Sequence, residues 1–506
     1  MFHRQSLLPR HRQARLIAAL STVFILQLTG CAVGPSYSPP TAQAPADWTH
    51  WRSGDDSLRQ PIGTEQALSP TWWQVFNDPV LDALVQRAIQ SSPDLRTAAL
   101  HYAQARAQRG VTASQEGPDV NLNGGVSRQR QSEYGAGTRM LDALGGNRDR
   151  LADFLSQPFT LYQAGLDASW ELDLWGRVRH SIEAADAGIV RQAALLDSAR
   201  LSVTSEVARN YFELRTAQRQ AQLAREDIAA LTERLQLLEA RVKGGVTDHL
   251  DLERQRAELA AVQAQLPSLL AQEGSSANQI ALLLGERPGA LQDLLAAPAH
   301  APSDTARAMP PDLALGLPSE VALRRPDIRA AEAQLQRATA HLGVAEADLY
   351  PSVRLGARLG YESYLSGEFA EWGSRAWSIG PSLNLPLFDR GRRKSVVQLR
   401  ELEQQEAAVH YQRTVLQAWQ EIDDALNGYA AERQQAQQQQ ARVDSTRQAR
   451  QLALARYQGG TVDFTAVLDS QRAELQARRD LAASEGRLGA RYVMVNRVLG
   501  NAPATP

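Results

Sequence analysis

Cysteine is nearly absent. The chain has 506 residues and a single cysteine, Cys31, so it can form no internal disulfide and build no multi-thiolate zinc site. Excess charge is missing too. Lys and Arg number 54 against 56 Asp and Glu, which removes bulk attraction as a reason to bind nucleic acid. Aromatics are sparse, and Ala, Gln, Arg, Leu and Glu dominate, a composition of long helices. Beyond the first forty residues there is no long apolar run. A transmembrane helix is therefore excluded there, and any membrane-spanning part must be a β-barrel. The sequence contains no Gly-x-Ser-x-Gly, no phosphate loop and no His-Glu-x-x-His. His249 with Glu253, and His180 with Glu183, have helical spacing but read as solvated pairs, not metal ligands. We expect neither an enzyme nor a metal site.

What is present begins at the start of the chain. Arg4, Arg10, Arg12 and Arg15 precede an apolar stretch from Leu16 to Leu28, followed by Leu28-Thr29-Gly30-Cys31. A basic start, a short apolar core and small residues describe an export signal over residues 1–30. The four residues ending at Cys31 resemble a bacterial lipobox. That resemblance implies an S-diacylglycerol and, after cleavage, an N-palmitoyl chain on Cys31. Several acyl chains hold a protein firmly to a membrane. Ala32 follows where sorted lipoproteins kept at the inner membrane carry Asp, so the resemblance points to the outer membrane. The alternative is an inert cysteine in an ordinary signal peptide.

The mature chain repeats itself. Pro93, Asp94, Arg96, Gly110, Val111 and Pro118 match Pro326, Asp327, Arg329, Gly343, Val344 and Pro351 without a gap. "RVKGGVTDHLDLERQRAEL" from Arg241 matches "RYQGGTVDFTAVLDSQRAEL" from Arg456 with one insertion. We therefore divide the chain into a Pro-rich lipidated segment (31–77), a first repeat (78–285), a linker (286–317), a second repeat (318–500) and a tail (501–506).

Each repeat holds two stretches of period-two alternation, at about 118–130 and 165–175, then at about 350–362 and 376–388. Val120, Leu122 and Val126 alternate with Asn121, Asn123 and Ser127; Trp377, Ile379 and Leu383 alternate with Ser378, Gly380 and Asn384. Such strands suit a barrel, apolar outward and polar inward, or a soluble sandwich. Trp175, Tyr350, Tyr364, Trp372 and Phe388 fall near the strand ends, where interfacial aromatics belong. Four strands cannot close a barrel, and an open edge in lipid leaves backbone groups unpaired. If the strands span a membrane, several chains share one barrel.

The rest reads as helix. Stretches 181–243 and 393–458 contain no proline and would each extend about 90–100 Å. They stop at Gly244-Gly245 and Gly459-Gly460, and Asp248 and Asp463 can cap the returning helices, 248–284 and 463–499. Helices of about 78–114 and 319–347 precede the strands.

"CAVGPSYSPP", "WWQVFNDPVLDALVQRAIQSSPDLRTAAL", "WELDLWGRVR", "LPSEVALRRPDIRAAEAQL" and "LNLPLFDRGRR" resemble the outer membrane factor lipoproteins, NodT-type and OprM-type relatives of the TolC channels. The resemblance spans essentially the whole mature chain. It implies a mostly α fold with a small transmembrane β part: a homotrimer with a shared 12-stranded barrel, four strands per chain, and a periplasmic helical barrel. It further implies the exit duct of a tripartite efflux or secretion pump. Its partners would be a periplasmic adaptor (membrane fusion) protein, an inner-membrane transporter, often proton-driven, and outer membrane lipid.

The resemblance also supplies the gate residues. The turns Gly244-Gly245 and Gly459-Gly460 would form a tip closed at rest. The family's constricting acidic ring falls on Asp469, whose other reading is a solvated Asp favoured near a helix start. The family's tip ties fall on Thr247, Asp248 and Tyr457. Where some relatives place an arginine and a second acidic ring, this chain has Val462 and Ala466, so Leu468 or Phe464 becomes a candidate constriction. The competing function is a lipid-anchored periplasmic adaptor without a channel, a class that needs neither two repeats nor membrane-type strands.

Overall fold

The computed structural model describes residues 33–40, 51–59, 69–135, 148–245, 248–296, 318, 321 and 324–503. The signal segment, Cys31, Thr247, most of the linker and the last three residues lie outside them. In chain order the elements are α1 (Pro79–Ser91), α2 (Pro93–Ala113), β1 (Asp119–Gln129), α3 (Arg148–Ser156), β2 (Phe159–Leu172), α4 (Arg177–Lys243) and α5 (His249–Leu283). After a short turn of helix at Gln292–Leu295 come α6 (Pro326–Ala347), β3 (Ser352–Ser363), β4 (Arg375–Asn384), α7 (Arg392–Gln458) and α8 (Phe464–Val498). Both long helices have 67 residues and both returning helices 35, so the repeat holds at the level of whole elements. Among the described residues no helix is long and apolar enough to cross a membrane.

The chain divides into two compact units. One comprises Met1–Ser38, Ala105–Gly188 and Leu335–Ala407. At its centre is an antiparallel meander in the order β1-β2-β3-β4, so β1 and β4 are its edges. The register lines up Leu122, Leu166, Leu359 and Trp377 on one face, and Asn121, Asp167, Arg358 and Ser378 on the other. Among the described residues nothing covers the apolar face: Leu122 is 77% exposed and Trp377 73%.

Strand ends differ from the alternation at particular residues. β2 starts at Phe159, earlier than the pattern indicates, because Phe159 and Leu161 fall on the polar-face parity and break the alternation. It ends at Leu172, since the Asp173 carboxylate accepts the Val178 and Arg179 amides at 3.0 and 2.9 Å and caps α4. That cap moves the start of α4 forward to Arg177. β4 stops at Asn384, two residues before Pro386, which has no N–H for a ladder.

The other unit comprises Pro39–Gln104, Ile189–Gln334 and Ala408–Pro506. Its core joins Trp72, Trp73, Leu81, Leu84, Tyr211, Leu214, Ile280, Leu284, Ile422, Leu426, Tyr492 and Leu499. Both repeats contribute, so neither buries its apolar stripe alone. The expected helix over 78–114 is two helices. Ser92 precedes Pro93 and takes an extended ψ of 126°, as steric pressure from the following proline ring requires. Asp78 caps α1 through the Val80 and Leu81 amides, and it also accepts the Tyr211 hydroxyl. Burial pushes the Tyr211 phenol well above its ordinary value.

Candidate channel wall and gate

On the polar face of the sheet, charge is paired across strands. Asn123 donates to Asp167 at 2.7 Å, and Arg358 lies 3.7 Å from the same carboxylate. Glu171 receives Arg177 at 2.6 Å and Arg354 at 3.2 Å. Gln163 donates to Glu362 at 2.9 Å. A hydrogen-bonded, charge-balanced face of this kind suits water, while the opposite face, with Val120, Leu122, Val126, Ile379 and Leu383, suits lipid. Trp175 and Tyr350 stack with centroids 4.8 Å apart, and Tyr364, Trp372 and Phe388 are exposed.

The helix tips are built by backbone chemistry. Gly245 (φ +72°) and Gly460 (φ +70°) adopt the left-handed conformation that ends α4 and α7. Their amides return to Val242 and Tyr457 at 3.0 Å. The Asp248 carboxylate accepts the Leu250 amide at 3.2 Å, and Asp463 accepts that of Ala466 at 3.2 Å, starting α5 and α8. Asp248 is therefore engaged by its own helix.

Tyr457 is tied elsewhere. Arg241 donates to its hydroxyl and sits 5.8 Å from its ring centroid, and Phe464 packs against the same ring at 5.3 Å. Arg254 donates to Thr465 Oγ1 at 3.3 Å. Below these contacts α8 is bound to the first hairpin by arginines: Arg472 to Glu258 at 2.6 Å, Arg478 to Glu226 at 3.0 Å and Arg479 to Asp227 at 3.0 Å. Burial pushes the Asp227 carboxyl up, against the pull of Arg479.

Asp469 is exposed and has no neutralising partner among the described residues. Phe464 is half-buried on Tyr457. Leu468 is taken up by packing: it is 8% exposed and lines a narrow crevice with Leu231, Gln471 and Leu475. The structure thus brings Tyr457 and Phe464 together and leaves Asp469 exposed. Thr247 lies outside the described residues. Sequence reasoning missed Arg241 and Arg254. Arg241 aligns with Arg456 between the repeats, so the tie joins residues that the internal match does not pair.

The histidine pairs divide. His249 is exposed, and Glu253 is taken by Arg256 at 2.8 Å. His180, read as solvated, is instead buried at 6% exposure. Among the described residues no cluster of three or more His, Cys, Asp or Glu could hold a metal ion.

Comparison with known proteins agrees with this geometry. The family described as "Outer membrane efflux protein" matches residues 84–286 and 317–501. The pyoverdine export outer membrane protein OpmQ of Pseudomonas putida is 33% identical over 456 residues, 90% of each chain. The probable outer membrane lipoprotein SilC of Salmonella typhimurium is 28% identical over 90% of this chain and 92% of its own. The solved outer-membrane channel OprN superposes with a TM-score of 0.81 at 32% identity, over 93% of this chain and 99% of that one. With its exposed apolar sheet face, polar opposite face and paired helical hairpins, the chain belongs to the outer membrane efflux protein family and is an outer membrane efflux channel.

Proposed function

We propose that three copies of the chain close one 12-stranded barrel and one helical tube. The assembly conducts small solutes passively outward from a periplasmic adaptor and an inner-membrane transporter. The observation that carries this reading is the pair of free edges, β1 and β4, on a sheet whose apolar face is bare. In lipid such edges must be paired, and β4 of one copy beside β1 of the next satisfies both. In the same reading Cys31 carries S-diacylglycerol and N-palmitoyl chains; the relative SilC is named as a lipoprotein. The tip formed by Gly244-Gly245 and Gly459-Gly460 is the gate, and Asp469 from three chains forms a ring that favours cations. The alternative of a lipid-anchored adaptor leaves the bare sheet face unexplained.

The test is conductance in planar bilayers. Purified protein should give discrete, cation-preferring steps, and Asp469→Ala should reduce that preference. The absence of steps, or an unchanged preference in the variant, would overturn the gate assignment.

A further inference from the structure

The buried histidine holds the start of the described chain. His180 Nε2 lies 3.0 Å from the carbonyl oxygen of Val33, and Nδ1 lies 2.7 Å from a Glu183 carboxylate oxygen. Both facing atoms are acceptors, so the ring nitrogen that carries the proton has a partner in either tautomer. On the other side the Val33 amide donates to the Trp175 carbonyl at 3.2 Å. Val33 is therefore bonded through both its backbone groups.

The neighbouring glycines make this approach possible. Gly34 has φ +124°, and a Cβ there would stand 2.9 Å from Gly343 Cα and 3.1 Å from His180 Nε2. A Cβ on Gly343 would come within 2.8 Å of the His180 ring. Two residues far apart in the chain thus lack side chains where the ring and the segment meet. Trp175 also faces the sheet: its Nε1 donates to the Pro351 carbonyl at 2.8 Å, and its ring stacks on Tyr350. This pair stands between the strands and the helices, where interfacial aromatics mark the depth of a bilayer surface.

We infer that His180, Trp175 and Gly343 form a seat for the N-terminal segment that fixes its acyl-bearing end at the depth of the aromatic pair. Cys31 is two residues from Val33, a covalent reach of at most about 7 Å. The seat rests on the contacts at Val33 and Gly34. Its consequence for acyl depth rests on the acylation of Cys31 proposed above. The anchor then enters the same leaflet that the lower end of the strands meets, and the chains and the barrel are held in one register. Glu183 positions the ring, and His180 holds the segment.

Hydrogen–deuterium exchange of the full-length, detergent-solubilised protein tests this. Wild type should protect the peptide spanning Val33–Tyr37. His180→Ala, and separately Gly343→Ala through displacement of the ring, should each speed its exchange about tenfold or more, while peptides of β2 keep their protection. Free exchange of this peptide in wild type, or unchanged protection in both variants, would overturn the seat. If His180→Ala fails to fold, Glu183→Ala removes the positioning contact and should still raise exchange at Val33. The intact mass of the same sample reports acylation separately. A mass without acyl chains removes the acylation reading, while protection at Val33 in that sample still supports the seat. Cys31→Ser should keep the protection; its loss there would assign the hold to the lipid and overturn the seat.

Discussion

Replacing Arg241 with alanine removes one of the contacts that join the two hairpins of one chain near their tips. The guanidinium donates to the Tyr457 hydroxyl and lies over its ring, and both residues are half-buried. A hydrogen bond of this kind contributes about 1 kcal/mol net, and a partly exposed cation–π contact about 0.5–1 kcal/mol. The closed tip should therefore lose about 1.5–2 kcal/mol per chain. In the proposed trimer, moving as one, the loss is about 5 kcal/mol, and the open-to-closed ratio rises by roughly several thousandfold. Single-channel recording reads this directly. Arg241→Ala should convert a low, mostly closed conductance into long open dwell times. Arg241→Lys, which keeps the charge but not the planar fork, should fall between. A variant with wild-type dwell times and an intact oligomer would refute the tie, and with it the placement of the gate at Gly244-Gly245 and Gly459-Gly460.

Other outcomes follow from the same contacts. Cys31→Ser should abolish the acyl mass and leave the oligomer intact, because the strands supply membrane affinity of their own; dissociation of the variant in mild detergent would contradict this. Gly489→Ala would set a Cβ 2.7 Å from the Phe212 ring in a filled core and should cost about 1–3 kcal/mol, read as a lowered midpoint of thermal unfolding. An unchanged midpoint would contradict the packing. His341 is held below its ordinary value, first by burial and then by Arg337 and Arg400. Its folded form takes a proton later than its unfolded form as pH falls. Its contribution is thus full above the unfolded value of about 6.5 and is lost as pH drops through the lower folded one. His341→Gln should flatten that part of the stability profile between pH 7 and pH 5, and an unaltered slope would refute it.

Much of the fold is legible in the sequence because the relevant signals are local. The proline-free stretches, the glycine pairs and the aspartate caps each act within one turn of helix, and all appear where the chain chemistry puts them: Gly245 and Gly460 left-handed, Asp248 and Asp463 capping. Alternation marks the strands wherever one face is apolar, and it misleads at Phe159 and Leu161, where both faces are. The break at Ser92 is local too, and Pro93 carries it. What the sequence hides is contact between distant segments. Nothing near His180 announces that Val33 lies against it, 147 positions away, and the i, i+3 partner Glu183 suggests an ordinary surface pair. Leu468 reads as a constriction by its place beside Asp469, yet its side chain is spent on packing with the first hairpin. Arg241 carries no motif, because its partner Tyr457 is set by the meeting of two hairpin tips and not by spacing.

The claim on which the account depends most is that free strand edges are closed by other copies of the same chain. Native mass spectrometry of the detergent-solubilised, full-length protein measures this in one step. The account predicts a trimer whose mass carries three sets of acyl chains. A stable monomer in mild detergent would leave β1 and β4 unpaired and would contradict the shared barrel.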